Sequence, residues 1–108
     1  MIDESIPIYH HWEKVASRMM SLLMRKHEAW IFLEPVDSEK LGIPDYKRII
    51  AKPMDFGTIR ENLRKHEYKS MQMFIDDVQV VFSNCLTYNG ENSQVGLMCQ
   101  KVKEEYWA

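Results

Sequence analysis

From Ile8 onward the apolar residues Ile8, Trp12, Val15, Met19, Leu22 and Leu23 return every three or four positions, the stripe of an amphipathic helix. Ser5 and Pro7 are residue types suited to opening it. A second stripe, Phe56, Ile59 and Leu63, follows Asp55, whose carboxylate can cap a helix N-terminus, and the pattern predicts an end near His66. A third begins after Ser70, carries Phe74, Ile75, Val78, Phe82 and Cys85, and runs out at Tyr88, Asn89 and Gly90. The fourth opens near Asn92 or Ser93 and carries Val95, Met98, Cys99, Val102 and Tyr106. No segment alternates with period two, so the pattern predicts an all-α helical bundle.

Between Trp30 and Pro53 the chain has no sustained helical stripe. Connections in bundles usually run about 2–8 residues, and a long one inside a compact domain generally carries function. This one is apolar: Phe32, Val36, Leu41, Ile43, Tyr46, Ile49 and Ile50 would cost about 25 cal/mol for each Å² left in water. It is therefore expected to fold back on the bundle. Pro35, Pro44 and Pro53 fix backbone angles along it and reduce the entropy lost on ordering. A stiff, apolar loop against helix ends makes a pocket.

Composition narrows the classes. At 108 residues, 45% hydrophobic and 28% charged, the chain suits one compact domain with a core that needs no disulfides. Fourteen basic against 16 acidic residues give a net charge of −2, without the positive field that nucleic-acid backbones attract. Cys85 and Cys99 form no CxxC and share no metal spacing with the four histidines, which points to a reducing compartment and to no metal or cofactor. No leader and no run of about 18 apolar residues is present, so a soluble intracellular protein is expected, with no membrane contact.

Four motifs then carry a resemblance. WIFLEPVD (Trp30 to Asp37), IPDY (Ile43 to Tyr46), KPMDFGTI (Lys52 to Ile59) and TYN (Thr87 to Asn89) follow one another in the order and at roughly the spacing of a bromodomain. Each is weak alone; four in register around a long loop are specific, and together they cover nearly the whole chain. The resemblance implies a left-handed four-helix bundle, with the long loop between its first and second helices forming a pocket for acetylated lysine, mostly in histone tails. It implies that residues 1–108 are a single such domain from a larger multidomain protein, nuclear, acting in transcription regulation, and monomeric in isolation. Carried over by position, Asn89 matches the asparagine whose amide donates to the acetyl carbonyl, and Tyr46 the tyrosine that reaches it through water. Phe32 matches the phenylalanine against the acetyl methyl, Val36, Leu41 and Ile43 the loop walls, Val95 the gatekeeper, and Tyr88 and Cys85 the inner helical wall. Trp30, Ile31 and Phe32 match the family's shelf, with Ile31 standing where proline is common. Gly90, Glu91, Asn92 and Ser93 form a second loop whose contacts do not carry over.

The chemistry suits those residue types. Acetylation turns an ammonium into a neutral amide with a methyl, so its receptor needs apolar walls and one or two placed hydrogen-bonding groups. An Asn amide supplies a donor with no charge to desolvate. An unmodified ammonium entering such a pocket is expected to lose its hydration and find no carboxylate. Outside, Glu34, Asp37, Glu39, Asp45 and Glu91 outnumber Lys40 and Lys47, a mouth expected to attract basic tails. Asn84, about 140° around the helix from Asn89, is expected to face elsewhere.

Blander readings exist for each residue. An Asn before a Gly commonly just ends a helix. Tyr46, Phe32 and Val95 are core residues by default, the methionines Met19, Met20 and Met24 read as packing, and His10, His11, His27 and His66 as surface. DFG at Asp55 to Gly57 has the letters of the kinase magnesium motif, but the chain lacks a kinase's other motifs and its length, and a helix cap is the better reading. Cys85 lies on an apolar stripe with no His placed to activate it, so no catalytic residue is assigned and no enzyme is expected. The alternative function is a helical protein-interaction or structural domain with a vestigial pocket.

Overall fold

A computed structural model describes residues 11–107, the Tyr106 side chain excepted. The proposed helix openers Ser5 and Pro7, with Ile8 and His10, lie outside the described residues. The described chain is all-helical: α1 (His11–Met24), a 3-10 helix (His27–Phe32), α2 (Tyr46–Ile49), α3 (Phe56–Arg64), α4 (Met71–Asn89), α5 (Gln94–Lys101), and a final π-helical turn (Val102–Trp107). The four stripes appear as α1, α3, α4 and α5. Between the 3-10 helix and α3 the chain makes turns and the short α2, the irregular connection that the missing stripe predicts.

Side-chain caps set the helix starts. Asp55 accepts from the Thr58 amide at 2.8 Å and from the Thr58 hydroxyl at 2.6 Å, satisfying donors that the first turn leaves open. Ser70 accepts from the Met73 amide at 3.3 Å, and Ser93 from the Gly96 amide at 2.9 Å. His66, just past α3, turns the chain at φ 60°. Helix α4 ends where Gly90 takes φ 86°, a region that favours glycine. Asn89 is thus the last helical residue, and Gly90 performs the capping turn.

Helix α4 packs against α5, α3 and α1, and α1 against α3. Phe56, Phe74, Phe82, Met20, Ile59, Val78, Val102 and Cys99 fill the centre. Met19 and Met24 lie partly buried against it, so the methionines of α1 pack as expected. The buried face of α1 matches the stripe in part, since Leu23 is buried and Trp12 and Met19 are partly buried against the core. Ala16, Met20 and Leu23 are buried, whereas Val15 and Leu22 are 36% and 48% exposed. Counting apolar residues overlooks Ala16, whose small side chain lets α1 sit close to its neighbours.

One buried polar cluster ties the end of the long connection to α4. Asp77, 6% exposed, accepts from the Tyr68 hydroxyl at 2.6 Å and from Lys52 Nζ at 2.7 Å. Asn84 donates to the Lys52 carbonyl at 2.7 Å, so it does face away from the Asn89 side of the helix. Both contacts anchor the segment that leads into α3.

Candidate functional site

The long connection folds over one end of the bundle and encloses a cavity of about 360 Å³. The 3-10 helix supplies Trp30, Ile31 and Phe32; the loop supplies Val36, Leu41 and Ile43; Tyr46 is the first residue of α2. Opposite them stand Cys85, Tyr88 and Asn89 from α4, and Val95 from α5. Every residue that the sequence nominates for the pocket or shelf lines this one cavity.

The floor is rigid for a physical reason. Phe32 packs on Phe56 and Phe82 with ring centroids 5.3 and 5.7 Å apart, and Phe56 and Phe82 are 5.9 Å apart, so three rings close a triangle in tilted and edge-on contacts. Gly57 lets the loop start close to α3: its amide donates to the Leu33 carbonyl at 3.1 Å, and a Cβ there would sit 2.4 Å from that oxygen. Trp30 is 61% exposed and stands at the mouth.

The polar groups are few. Asn89 donates from Nδ2 to the Cys85 carbonyl at 3.0 Å, one turn back in its own helix, and Nδ2 lies 3.7 Å from Cys85 Sγ. Both contacts are made by Nδ2, which faces Cys85, while its side-chain carbonyl oxygen takes no bond from a described residue. Tyr46 is 7% exposed and its ring meets Tyr88 edge-on at 5.0 Å. Its hydroxyl bonds no described residue, yet no buried side-chain polar atom among the described residues lacks a partner, so that hydroxyl opens to the cavity. Burial, then the Cys85 thiol, raises its pKa above the usual tyrosine value. Tyr88 donates to Asp45 at 2.8 Å, and that bond raises its pKa.

Several expectations need correction. Leu41 and Ile49 were expected to be covered by the loop's return; they are 64% and 45% exposed, Leu41 because it stands at the cavity's open edge. The cavity is also not free of carboxylates, because Asp55 and Glu34 line it. Asp55 is 4% exposed with both oxygens engaged by Thr58, and Glu34 is exposed at the rim, so neither stands as an open counter-ion at the centre. Asp45 is turned to Tyr88 rather than held free at the rim. The sequence reading passed over Val81 and Met54 as lining residues. Val81 had a signal, since it lies four residues before Cys85 and eight before Asn89 on one helical face. Met54 had none beyond its place next to Asp55. Among the described residues, no cluster of His, Cys, Asp or Glu is arranged to hold a metal ion, and no helix is long and apolar enough to cross a membrane.

The bromodomain family model matches residues 16–101, a span that includes every residue of the cavity wall. The chain belongs to the bromodomain family. Among curated relatives it is 41% identical over 101 residues to transcription factor GTE2 of Arabidopsis thaliana, covering 87% of this chain and 17% of that protein. It is 42% identical over 94 residues to the SWR1 complex bromodomain subunit bdf1 of Schizosaccharomyces pombe, covering 87% of the chain and 16% of the relative. This bromodomain therefore spans about a sixth of the length of those proteins. In three dimensions it resembles the second bromodomain of Candida albicans Bdf1 bound to an imidazopyridine. The TM-score is 0.82 at 34% identity, covering 87% of this chain and 92% of that one. The bundle of this bromodomain is accordingly left-handed and four-helical, with α2 and the 3-10 helix carried in the connection between its first two long helices.

Proposed function

We propose that this bromodomain reads acetylated lysine in histone tails, as a binding module and not an enzyme, within a larger nuclear protein that acts on transcription. The observation that carries the reading is the joining of one apolar cavity of about 360 Å³ with a single uncharged amide, Asn89, on its wall. That combination suits a ligand with a methyl and a neutral carbonyl. The cavity walls Phe32, Val36 and Val95 offer the methyl apolar contact, while the Asn89 amide, by giving up its weak contact with Cys85 Sγ, and the hydroxyl of Tyr46 offer donors for the carbonyl, the second through a bridging water. The relatives named as a transcription factor and as a bromodomain subunit of the SWR1 complex support the nuclear setting. Isothermal titration of acetylated and unmodified histone-tail peptides tests the proposal. Saturable binding of the acetylated form alone is expected, and Asn89→Ala should weaken it by about 1–3 kcal/mol, roughly 5- to 150-fold in Kd. No saturable binding by the wild-type domain would leave the pocket vestigial and the function on the bundle surface.

A further inference from the structure

Cys85 and Cys99 are the chain's two cysteines, and both are free thiols. They sit on different helices, α4 and α5, that pack directly together. Their contacts are reciprocal. Cys99 Sγ donates to the Phe82 carbonyl of α4 at 3.5 Å, and Cys85 Sγ lies 4.0 Å from the Val95 carbonyl of α5. Phe82 is one turn before Cys85 and Val95 one turn before Cys99, and a helical side chain lies over the turn N-terminal to its own Cα. Each sulfur is therefore pressed against the turn that the other's side chain covers. The two also differ in access: Cys85 is 8% exposed on the cavity wall, whereas Cys99 is fully enclosed.

We propose that Cys85 and Cys99 form a reversible redox pair that peroxide closes to a disulfide, cross-linking α4 to α5 and reshaping the inner wall of the pocket. The cavity gives an oxidant its path to Cys85. The Asn89 amide, donating towards Cys85 Sγ at 3.7 Å, favours the thiolate there, and the thiolate is the reactive form. Cys99, fully enclosed and with its S–H on the Phe82 carbonyl, is left for the second step. In the first step the Cys85 thiolate attacks one peroxide oxygen, the O–O bond breaks, and a sulfenic acid and water result once the leaving hydroxide is protonated. In the second, Cys99 sulfur attacks the Cys85 sulfur, the S–O bond breaks, and the Cys99 proton leaves with that oxygen as a second water. Two thiols lose two electrons in all, and one hydrogen peroxide gains them. A thiol reductant reverses the bond by exchange, as intracellular disulfides of the sensing type require. Closing the bond draws Cys85 Sγ towards α5 and away from the Asn89 amide, 3.7 Å distant in the thiol form.

The cross-link stands whatever the pocket binds; its effect on binding rests on the acetyl-lysine reading. Intact-mass and peptide-mapping measurements on the whole chain, before and after hydrogen peroxide and again after dithiothreitol, test the first part. The expected result is a loss of two hydrogens per chain, a Cys85–Cys99 linked peptide, and full reversal. Cys99→Ala should give no linked peptide and a Cys85 sulfenic acid that a dione reagent traps. Peroxide that leaves both thiols free, or carries Cys85 to sulfinic acid with no linked peptide, would overturn the redox pair. Peptide mapping of the wild type decides this even if the variant fails to fold. Titration with an acetylated tail then compares reduced and oxidised protein. Oxidation should weaken binding about tenfold, which corresponds to about 1.4 kcal/mol, and dithiothreitol should restore it. Equal affinities in the two redox states would overturn the coupling to the pocket. A reduced protein that binds nothing would instead refute the acetyl-lysine reading and leave the cross-link result intact.

Discussion

Replacing Asp55 with Ala tests whether the floor of the pocket depends on a helix cap. The carboxylate is 4% exposed, accepts from the Thr58 amide at 2.8 Å and from the Thr58 hydroxyl at 2.6 Å, and belongs to the cavity wall. Loss of a cap of this kind costs about 0.5–2 kcal/mol. The second bond, from a hydroxyl to a charged acceptor, adds about 1.5–3 kcal/mol, of which a part is recovered if water reaches the vacated space. A destabilisation of about 2–4 kcal/mol follows, and for a domain of this size it lowers Tm by on the order of 10–20 °C. Asp55→Asn keeps the shape and one acceptor, so it should fall between the wild type and Ala. Urea melts followed by far-UV circular dichroism measure the series, with the midpoint moving and the slope preserved. The reasoning fails if Ala and Asn lose the same amount, or if Ala loses less than about 0.5 kcal/mol, because the caps would then contribute nothing beyond a surface residue.

Three further outcomes are expected. Tyr46→Phe should weaken acetylated-peptide binding less than Asn89→Ala does, because neighbouring solvent can partly replace a contact made through water; calorimetry that reversed this order would exchange the two roles. Gly96→Ala should destabilise the domain by at least about 1–3 kcal/mol, since its Cβ would stand 1.9 Å from the Gly90 carbonyl oxygen, a backbone atom that cannot swing aside; a melt unchanged from the wild type would show that α5 can shift freely. A basic acetylated tail should bind more weakly as salt rises while blocked acetyl-lysine barely responds, because the exposed acids Glu34, Asp37, Glu39 and Glu91 act at the rim and are screened over about 8–10 Å; parallel responses would remove the rim from recognition.

The parts of this structure that local chemistry determines were readable in advance. Asp55 was legible as a cap, and helix starts after Ser70 and near Asn92 or Ser93, because a cap needs only a short polar side chain and the next turn's amides. The pocket residues were legible through four motifs in register, not singly: nothing about Phe32 or Val95 alone separates a cavity wall from a core. What escaped depends on distant partners. Asp77 interrupts the apolar stripe of α4, and nothing near it in the chain shows that it is buried against Tyr68 and Lys52, which lie 9 and 25 residues away. The rotation of α1 that buries Ala16 and exposes Val15 is decided by how closely α3 and α4 approach, and helical periodicity carries no information about that. Leu41 remains in water because it borders an opening, and an opening is a property of the assembled fold.

The bond from Asn89 Nδ2 to the Cys85 carbonyl has a consequence for the energetics of capture. A free asparagine side chain samples several rotamers, and a ligand that selected one of them would lose part of its affinity to that ordering, about 0.5–1.5 kcal/mol for an immobilised side chain. Here the helix performs the ordering beforehand: the amide is tethered to the last turn of α4 through the Cys85 carbonyl, and a ligand has only the weak contact from Nδ2 to Cys85 Sγ to displace. The same tether makes reach the wrong property to engineer. Glutamine at this position offers the same amide, but an extra methylene displaces the group from the carbonyl that steadies it, and its donor would enter the cavity untethered. Tightness at this site is therefore a matter of a short side chain fastened to its own helix, and the entropy of that fastening belongs to folding instead of binding.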